Sequence, residues 1–160
     1  MTFLNTKMPM MVFVIIIIEV ALLSNQLLEL LSRPHEKKRL YHLFLLLLLI
    51  LYNLAEGLFP DENIAFVPPI LQNFLGYGFG YVFAAYIPFY IYKTAELPEL
   101  RLHGKYGFLV VLLPLFFFYG ILYPVNQDIA FTRKYVYIIP AMYGAFLYWI
   151  SLKEIFKQYR

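Results

Sequence analysis

The chain has 160 residues, of which 62% are apolar, 14% are charged and none is cysteine. Soluble domains carry roughly a quarter charged residues, and a globule of this length cannot hide so much apolar surface. The lack of cysteine excludes disulfides, thiolate zinc sites, iron–sulfur clusters and cysteine nucleophiles. The net charge of +3 comes from basic residues beside apolar runs, a pattern typical of membrane topology, so we expect no nucleic-acid partner.

Five apolar stretches reach the roughly 20 residues that a bilayer-crossing helix needs. We therefore predict an all-α, polytopic transmembrane helical bundle, a single transmembrane domain over residues 1–160 with the lipid bilayer as its solvent. The predicted spans run, in chain order, over about Pro9 to Leu31, Leu40 to Phe59, Ala65 to Tyr92, Gly107 to Tyr123 and Tyr135 to Leu152. The first span lacks a basic start and a small-residue cleavage site, so we expect it to remain as a helix.

Basic residues are distributed unequally between the two ends of these spans. One side collects ten of them: Arg33, Lys37, Lys38, Arg39, Lys93, Arg101, Lys105, Lys153, Lys157 and Arg160. The other side has three: Lys7, Arg133 and Lys134. Since positive residues near span ends favour the cytoplasm, the N-terminus is predicted outside and the C-terminus inside. The acidic residues Asp61, Glu62 and Asp128 then fall on the outer side.

Glu19 is the most informative residue of the first span, because an ionised carboxylate near the bilayer centre costs several kcal/mol. Gln26, Glu29 and Arg33 share its helix face, which predicts a polar stripe directed at other helices. No Lys or Arg lies within a predicted span to neutralise it. We expect Glu19 to be protonated or hydrogen-bonded to amide or phenol groups. A structural interhelical bond is the simpler role, and a ligand-sensing or proton-responsive role is the alternative.

A second polar group falls near the outer ends of spans two and three. It comprises Asn53, Glu56, Gln72, Asn73 and Tyr77. Together with Glu19 and Gln26 these residues are the candidate ligand-binding set, lining a pocket open to the outer side. For Asn53 and Glu56 the simpler alternative is contact with the lipid headgroups.

Span three also carries small residues at every fourth position, which predicts a face for close helix packing. Its candidate packing residues are Gly76, Gly80 and Ala84, the two glycines forming a GxxxG pair. Packing within the chain is favoured over a homodimer. Prolines within spans three, four and five, namely Pro88, Pro114 and Pro140, are expected to kink those helices.

No catalytic, metal or cofactor site is predicted. The three histidines, His35, His42 and His103, fall in loops or at span ends without the i, i+4 spacing of a helical metal site. The serines, Ser24, Ser32 and Ser151, lie outside any G-x-S-x-G context. Glu19 and Glu56 are carboxylates without catalytic partners, so a membrane-embedded enzyme ranks last among the functions considered.

The segment FYGILYPVNQDIAFTRKYVYIIP (Phe118 to Pro140), followed by a last span leading into LKEIFKQYR (Leu152 to Arg160), resembles the membrane sensor module of bacterial, Bacteroidetes-like signalling receptors and histidine kinases. The resemblance implies a helical bundle that feeds a cytoplasmic signalling domain or partner protein. Ile155, Phe156 and Tyr159 are then expected to begin a signalling helix. We rank a ligand-binding sensor first, and a small transporter or an accessory subunit of a membrane complex second.

Overall fold

The structure, a computed structural model, describes residues 6–61, 64, 66–95 and 97–158, with the backbone alone for Ile155 and Gln158. These residues form helices and turns and contain no strand. The helices are α1 (Met10–Ser32), α2 (Lys37–Leu58), α3 (Pro69–Ala95), α4 (Arg101–Phe116), α5 (Tyr123–Asn126), α6 (Ile129–Tyr135) and α7 (Ile138–Gln158), with a 3₁₀ turn at Pro98–Leu100 and a π-helix at Phe117–Leu122.

Within the described ranges, five helical stretches are long and apolar enough to cross a membrane. They are Met10–Ser32, Lys37–Leu58, Pro69–Ala95, Pro98–Asn126 and Ile129–Glu154. The predicted all-α fold with five helices long and apolar enough to cross a membrane is confirmed to this extent. Which side of the membrane each terminus occupies stays a prediction.

The helix boundaries agree best at α1 and α2, which begin and end within three residues of the predicted spans. Span four differs most, because α4 begins at Arg101 rather than Gly107 and is followed directly by a π-helix and α5. The predicted span began where the apolar residues begin, but charged residues such as Arg101 and Lys105 also form helix, so α4 begins earlier than its apolar part. The predicted connection Tyr123 to Lys134 contains α5 and most of α6. Ala65, Glu62, Asn63, Tyr159, Arg160 and the side chain of Ile155 lie outside the described residues.

The chain divides into two compact units, residues 1–83 and 84–160, with α3 shared between them. In the first unit α1 and α2 form an antiparallel hairpin with a small core of Met8, Ile16 and Ile50. Gly57 lets the segment before α1 approach α2 closely, because a Cβ on Gly57 would lie 2.8 Å from Cε of Met8. Large apolar residues elsewhere on α1 stay exposed, as lipid-facing positions of a spanning helix should be.

The N-terminal half of α3 packs against α2 within the same unit. A Cβ on Gly76 would lie 3.0 Å from the backbone oxygen of Phe59, and one on Gly80 would lie 3.0 Å from Cε2 of Tyr52. The ring of Tyr52 also stacks on Phe83 of α3, with centroids 6.3 Å apart. The GxxxG pair is therefore in contact with helix α2 of its own chain.

The second unit is built around Leu97, Leu100 and Leu147, which place the 3₁₀ turn against α7. Helix α4 packs closely against α3 at Gly104. A Cβ on Gly104 would lie 2.6 Å from Cβ of Tyr92, so only glycine fits there without a shift. A Cβ on Gly107 would collide with the Tyr143 hydroxyl, which itself lies 3.2 Å from Nδ1 of His103. His103 is therefore part of the α4–α7 contact.

Candidate functional site

Glu19 is buried in the α1–α2 hairpin and receives a hydrogen bond from α2. Its exposed fraction is 7%, and Nδ2 of Asn53 donates to its Oε1 over 2.6 Å. The second carboxyl oxygen, Oε2, is buried without a hydrogen-bond partner among the described residues. The carboxyl therefore has one satisfied and one unsatisfied oxygen.

The expected amide partner of Glu19 is thus identified as Asn53. An unpaired buried carboxyl oxygen costs about 1–3 kcal/mol, and more when the group is charged. A further donor would remove part of that cost. Glu19 is consequently a buried acceptor with one oxygen still open, within the described part of the chain, to a hydrogen-bond donor.

A cavity of about 320 Å³ lies beside this pair at the end of the hairpin where α1 begins and α2 ends. Asn53 and Glu56 line it from α2, and Lys7 lines it from the segment before α1. Glu56 also interacts with the hydroxyl of Tyr52, one turn earlier on α2. Asn53 therefore belongs to both features, since it lines the cavity and its side chain donates a hydrogen bond to Glu19.

The same end of the hairpin is fixed by a backbone contact. The amide N–H of Lys7 donates to Oδ2 of the buried Asp61 over 3.0 Å. Asp61 lies just after α2, so this bond ties the segment before α1 to the end of α2. The sequence placed Asp61 in an outer connection and gave it no role.

The opposite end of the hairpin is held by an ionic cluster around Arg39. Its guanidinium group pairs with Glu29 of α1, and its Nε lies 2.6 Å from Oε2 of Glu36. Hydrogen bonding to Arg39 lowers the pKa of Glu36 below its ordinary value of 4.5. Arg33 adds a longer contact, 3.6 Å from Oε1 of Glu36. Glu29 and Arg33 of the predicted polar stripe thus belong to this turn rather than to the cavity.

Gln72 stabilises the turn between α2 and α3. Its Oε1 accepts the backbone N–H of Asp61 over 2.7 Å. Its Nε2 donates to the carbonyls of Ile64 and Val67, each over 2.9 Å. The side chain is 4% exposed, so both ends of the amide are used inside the fold. These bonds give Gln72 a structural role in addition to any it has toward a ligand.

The remaining candidates lie apart from the cavity. Asn73 is buried and donates to the carbonyl of Pro69 on its own helix over 2.8 Å. Tyr77 is half-buried one turn further along α3, and Gln26 is half-buried two turns after Glu19. Of the seven ligand-binding candidates, the structure places Asn53 and Glu56 at the cavity and Glu19 directly behind Asn53.

Comparison with known proteins gives no further identification. No protein-family model, curated protein sequence or solved structure matches this chain. The resemblance to bacterial sensor modules therefore stays a prediction. The geometry of the α1–α2 hairpin, with its buried carboxyl beside a polar cavity, is the strongest physical indication of function in the described residues.

Proposed function

We propose that this chain is a membrane-embedded sensor module that binds a small zwitterionic molecule, such as an amino acid, in the cavity at Lys7, Asn53 and Glu56. The observation that carries the proposal is the shared position of Asn53, which lines the cavity and is hydrogen-bonded to the buried Glu19. An ionisable residue inside a span is by default a functional candidate.

The chemistry of the lining residues supports a zwitterion. Lys7 offers a cation, Glu56 an anion and Asn53 both a donor and an acceptor. A ligand with one carboxylate and one ammonium group complements this set. The volume of about 320 Å³ lies at the lower end of the range for small-molecule pockets.

Occupancy of the cavity would be transmitted through Asn53. Nδ2 of Asn53 has two N–H donors, one of which is directed at Oε1 of Glu19. A ligand that takes this N–H, by turning the amide toward the cavity, would break the bond to Glu19, and the packing between α1 and α2 would change with it. A ligand shifts such an equilibrium only by its different affinity for the two arrangements.

The proposed orientation places the cavity on the outer side of a bacterial inner membrane and the C-terminus in the cytoplasm, next to a signalling domain or partner. The positive-inside distribution of basic residues supports it. A reporter enzyme active only in the periplasm, fused after Arg160, should be silent. An active reporter would reverse the orientation and put the cavity on the cytoplasmic side.

Binding is tested with the protein in lipid nanodiscs, titrated with each of the twenty common amino acids. At least one should raise the melting temperature, and Lys7→Gln and Glu56→Gln should each weaken its binding at least tenfold. Asn25→Gln is the matched control, because Asn25 is exposed, donates to Glu29 on its own helix and does not line the cavity. Absence of any shift, or equal binding by all variants, would refute the zwitterion site. Uptake of the bound amino acid into proteoliposomes would indicate a transporter instead.

A further inference from the structure

A second cavity, almost entirely apolar, lies in the unit formed by residues 84–160. It has a volume of about 300 Å³ and lies between α3, α4 and α7. Ala84 and Ile91 line it from α3, Val111 from α4, and Pro140, Gly144 and Ser151 from α7. Pro140 and Ser151 are eleven residues apart, or about 16 Å along the helix. The lining residues therefore extend along a length that matches part of an extended hydrocarbon chain.

Gly144 keeps this cavity open. A Cβ on Gly144 would meet no atom within 4 Å, whereas a Cβ on Gly104 or Gly107 would collide with a tyrosine of the same unit. Close helix packing thus explains Gly104 and Gly107 and does not explain Gly144. Its missing side chain leaves room in the cavity instead.

Ser151 supplies a hydrogen-bond donor at one end of the cavity. Its Oγ is buried and has no hydrogen-bond partner among the residues that the structure describes. A serine inside a helix usually donates to a carbonyl of the preceding turn, as Ser24 does to Val20 over 2.9 Å. Within the described residues, the hydroxyl of Ser151 therefore has an unused donor beside the cavity.

The charges near this end favour a phospholipid. Ile91 and Ser151 are the lining residues closest to the ends of α3 and α7, and an exposed lysine, Lys93 or Lys153, follows each by two residues. Lysines at span ends lie at the level of the headgroups and attract phosphate. Ester carbonyls lie just below the phosphates, and Ser151 lies half a turn before Lys153 on α7.

We propose that the cavity binds one acyl chain of a diacyl phospholipid, with its ester carbonyl accepting from Ser151 and its phosphate near Lys93 and Lys153. The chain would run along α7 past Gly144 toward Pro140. The site is independent of the zwitterion cavity in the first unit, since it shares no residue with it.

The test is native mass spectrometry of the protein purified in mild detergent and washed to remove loosely bound lipid. The wild-type protein should retain one phospholipid, and Gly144→Leu should lose it because the new side chain fills the cavity. Gly120→Leu is the matched control, since Gly120 also has open space around its Cβ position but does not line the cavity. It should retain the lipid.

Ser151→Ala keeps the shape of the cavity and removes the donor, so phospholipid retention should fall about fivefold, the equivalent of one net hydrogen bond. If Gly144→Leu loses its helical circular dichroism signal and so does not fold, the Ser151→Ala result tests the proposal by itself. Equal retention by the wild type and the variant that folds would overturn the proposal. So would a wild-type protein that retains nothing, or one that retains a free fatty acid instead of a phospholipid.

Discussion

Asn53 donates a 2.6 Å hydrogen bond to Glu19 across the interface between α2 and α1, and the other oxygen of Glu19 is buried without a partner in the described structure. Asn53 also lines the cavity, so the bond links a buried carboxyl to a cavity residue. Only one of the two carboxyl oxygens of Glu19 is hydrogen-bonded to a residue that the structure describes. The sensor proposal rests on this unsatisfied oxygen.

Replacing one member of this pair should cost more than replacing both. Asn53→Leu leaves the whole carboxyl of Glu19 without a described donor, so we expect a loss of about 1–3 kcal/mol of stability. Glu19→Leu combined with Asn53→Leu should recover most of that loss, because no polar group is then left buried. A double-mutant cycle by reversible unfolding in mixed micelles measures the coupling energy. Additive losses would show that the pair is not coupled.

Gly107 should not tolerate a side chain. Gly107→Ala puts a methyl group against the Tyr143 hydroxyl and 3.1 Å from Cβ of Pro88, and overpacking of this kind costs about 1–3 kcal/mol. Gly120→Ala, with open space around it, should be neutral or gain a few tenths of a kcal/mol. Melting temperatures of the two variants compare them directly. Equal melting temperatures for the two variants would mean that α4 and α7 do not pack closely at Gly107.

Gln72 should be required for the turn between α2 and α3. Gln72→Leu leaves the buried N–H of Asp61 and two carbonyls without their side-chain partner, so we expect a loss of at least about 2 kcal/mol. The exposed Asn25→Leu should change stability by less than about 0.5 kcal/mol. Hydrogen exchange at the Asp61 amide should accelerate only in Gln72→Leu. Unchanged protection would show that Gln72 does not hold this turn.

The α1–α2 turn should weaken in acid. Because hydrogen bonding to Arg39 lowers the pKa of Glu36 in the folded state, this contribution to stability is present above pH 4.5 and is lost as the pH falls through the lowered pKa. The side-chain carboxyl signal of Glu36, followed by NMR, should titrate with a midpoint below 4.5. Arg39→Gln should raise that midpoint. A midpoint at or above 4.5 in the wild type would exclude the ionic cluster.

Much of the helical architecture could be predicted from the sequence, because about 20 apolar residues in succession have few alternatives to a membrane-spanning helix. The sequence also predicted Glu19 to be protonated or hydrogen-bonded to an amide or phenol partner. It could not identify Asn53 as that partner, since the rotation and vertical offset of two packed helices depend on contacts such as that of Met8 with Gly57. Helix packing sets these quantities, and composition does not reveal them.

The candidate site could be predicted less well. Gln72 was grouped with the ligand-binding residues because it is polar and near a span end, and the structure shows its amide bonded to backbone groups of a turn. Nothing in the sequence around Gln72 distinguishes an amide that binds a ligand from one that bonds to the backbone of a turn. The cavity at Gly144 and Ser151 was also missed, because an open glycine and a packed glycine are identical in sequence.

The most direct test of the sensor proposal is the distance between α1 and α2 with and without the amino acid that binds best. Since the chain has no cysteine, spin labels can be placed at Leu28→Cys and Phe44→Cys, both exposed positions. Ligand should change the distance distribution in the otherwise wild-type protein and leave it unchanged in Glu19→Gln, which should still insert, fold and bind. An equal change in both proteins, no change in either, or loss of folding in Glu19→Gln would show that Glu19 is structural and does not transmit the signal.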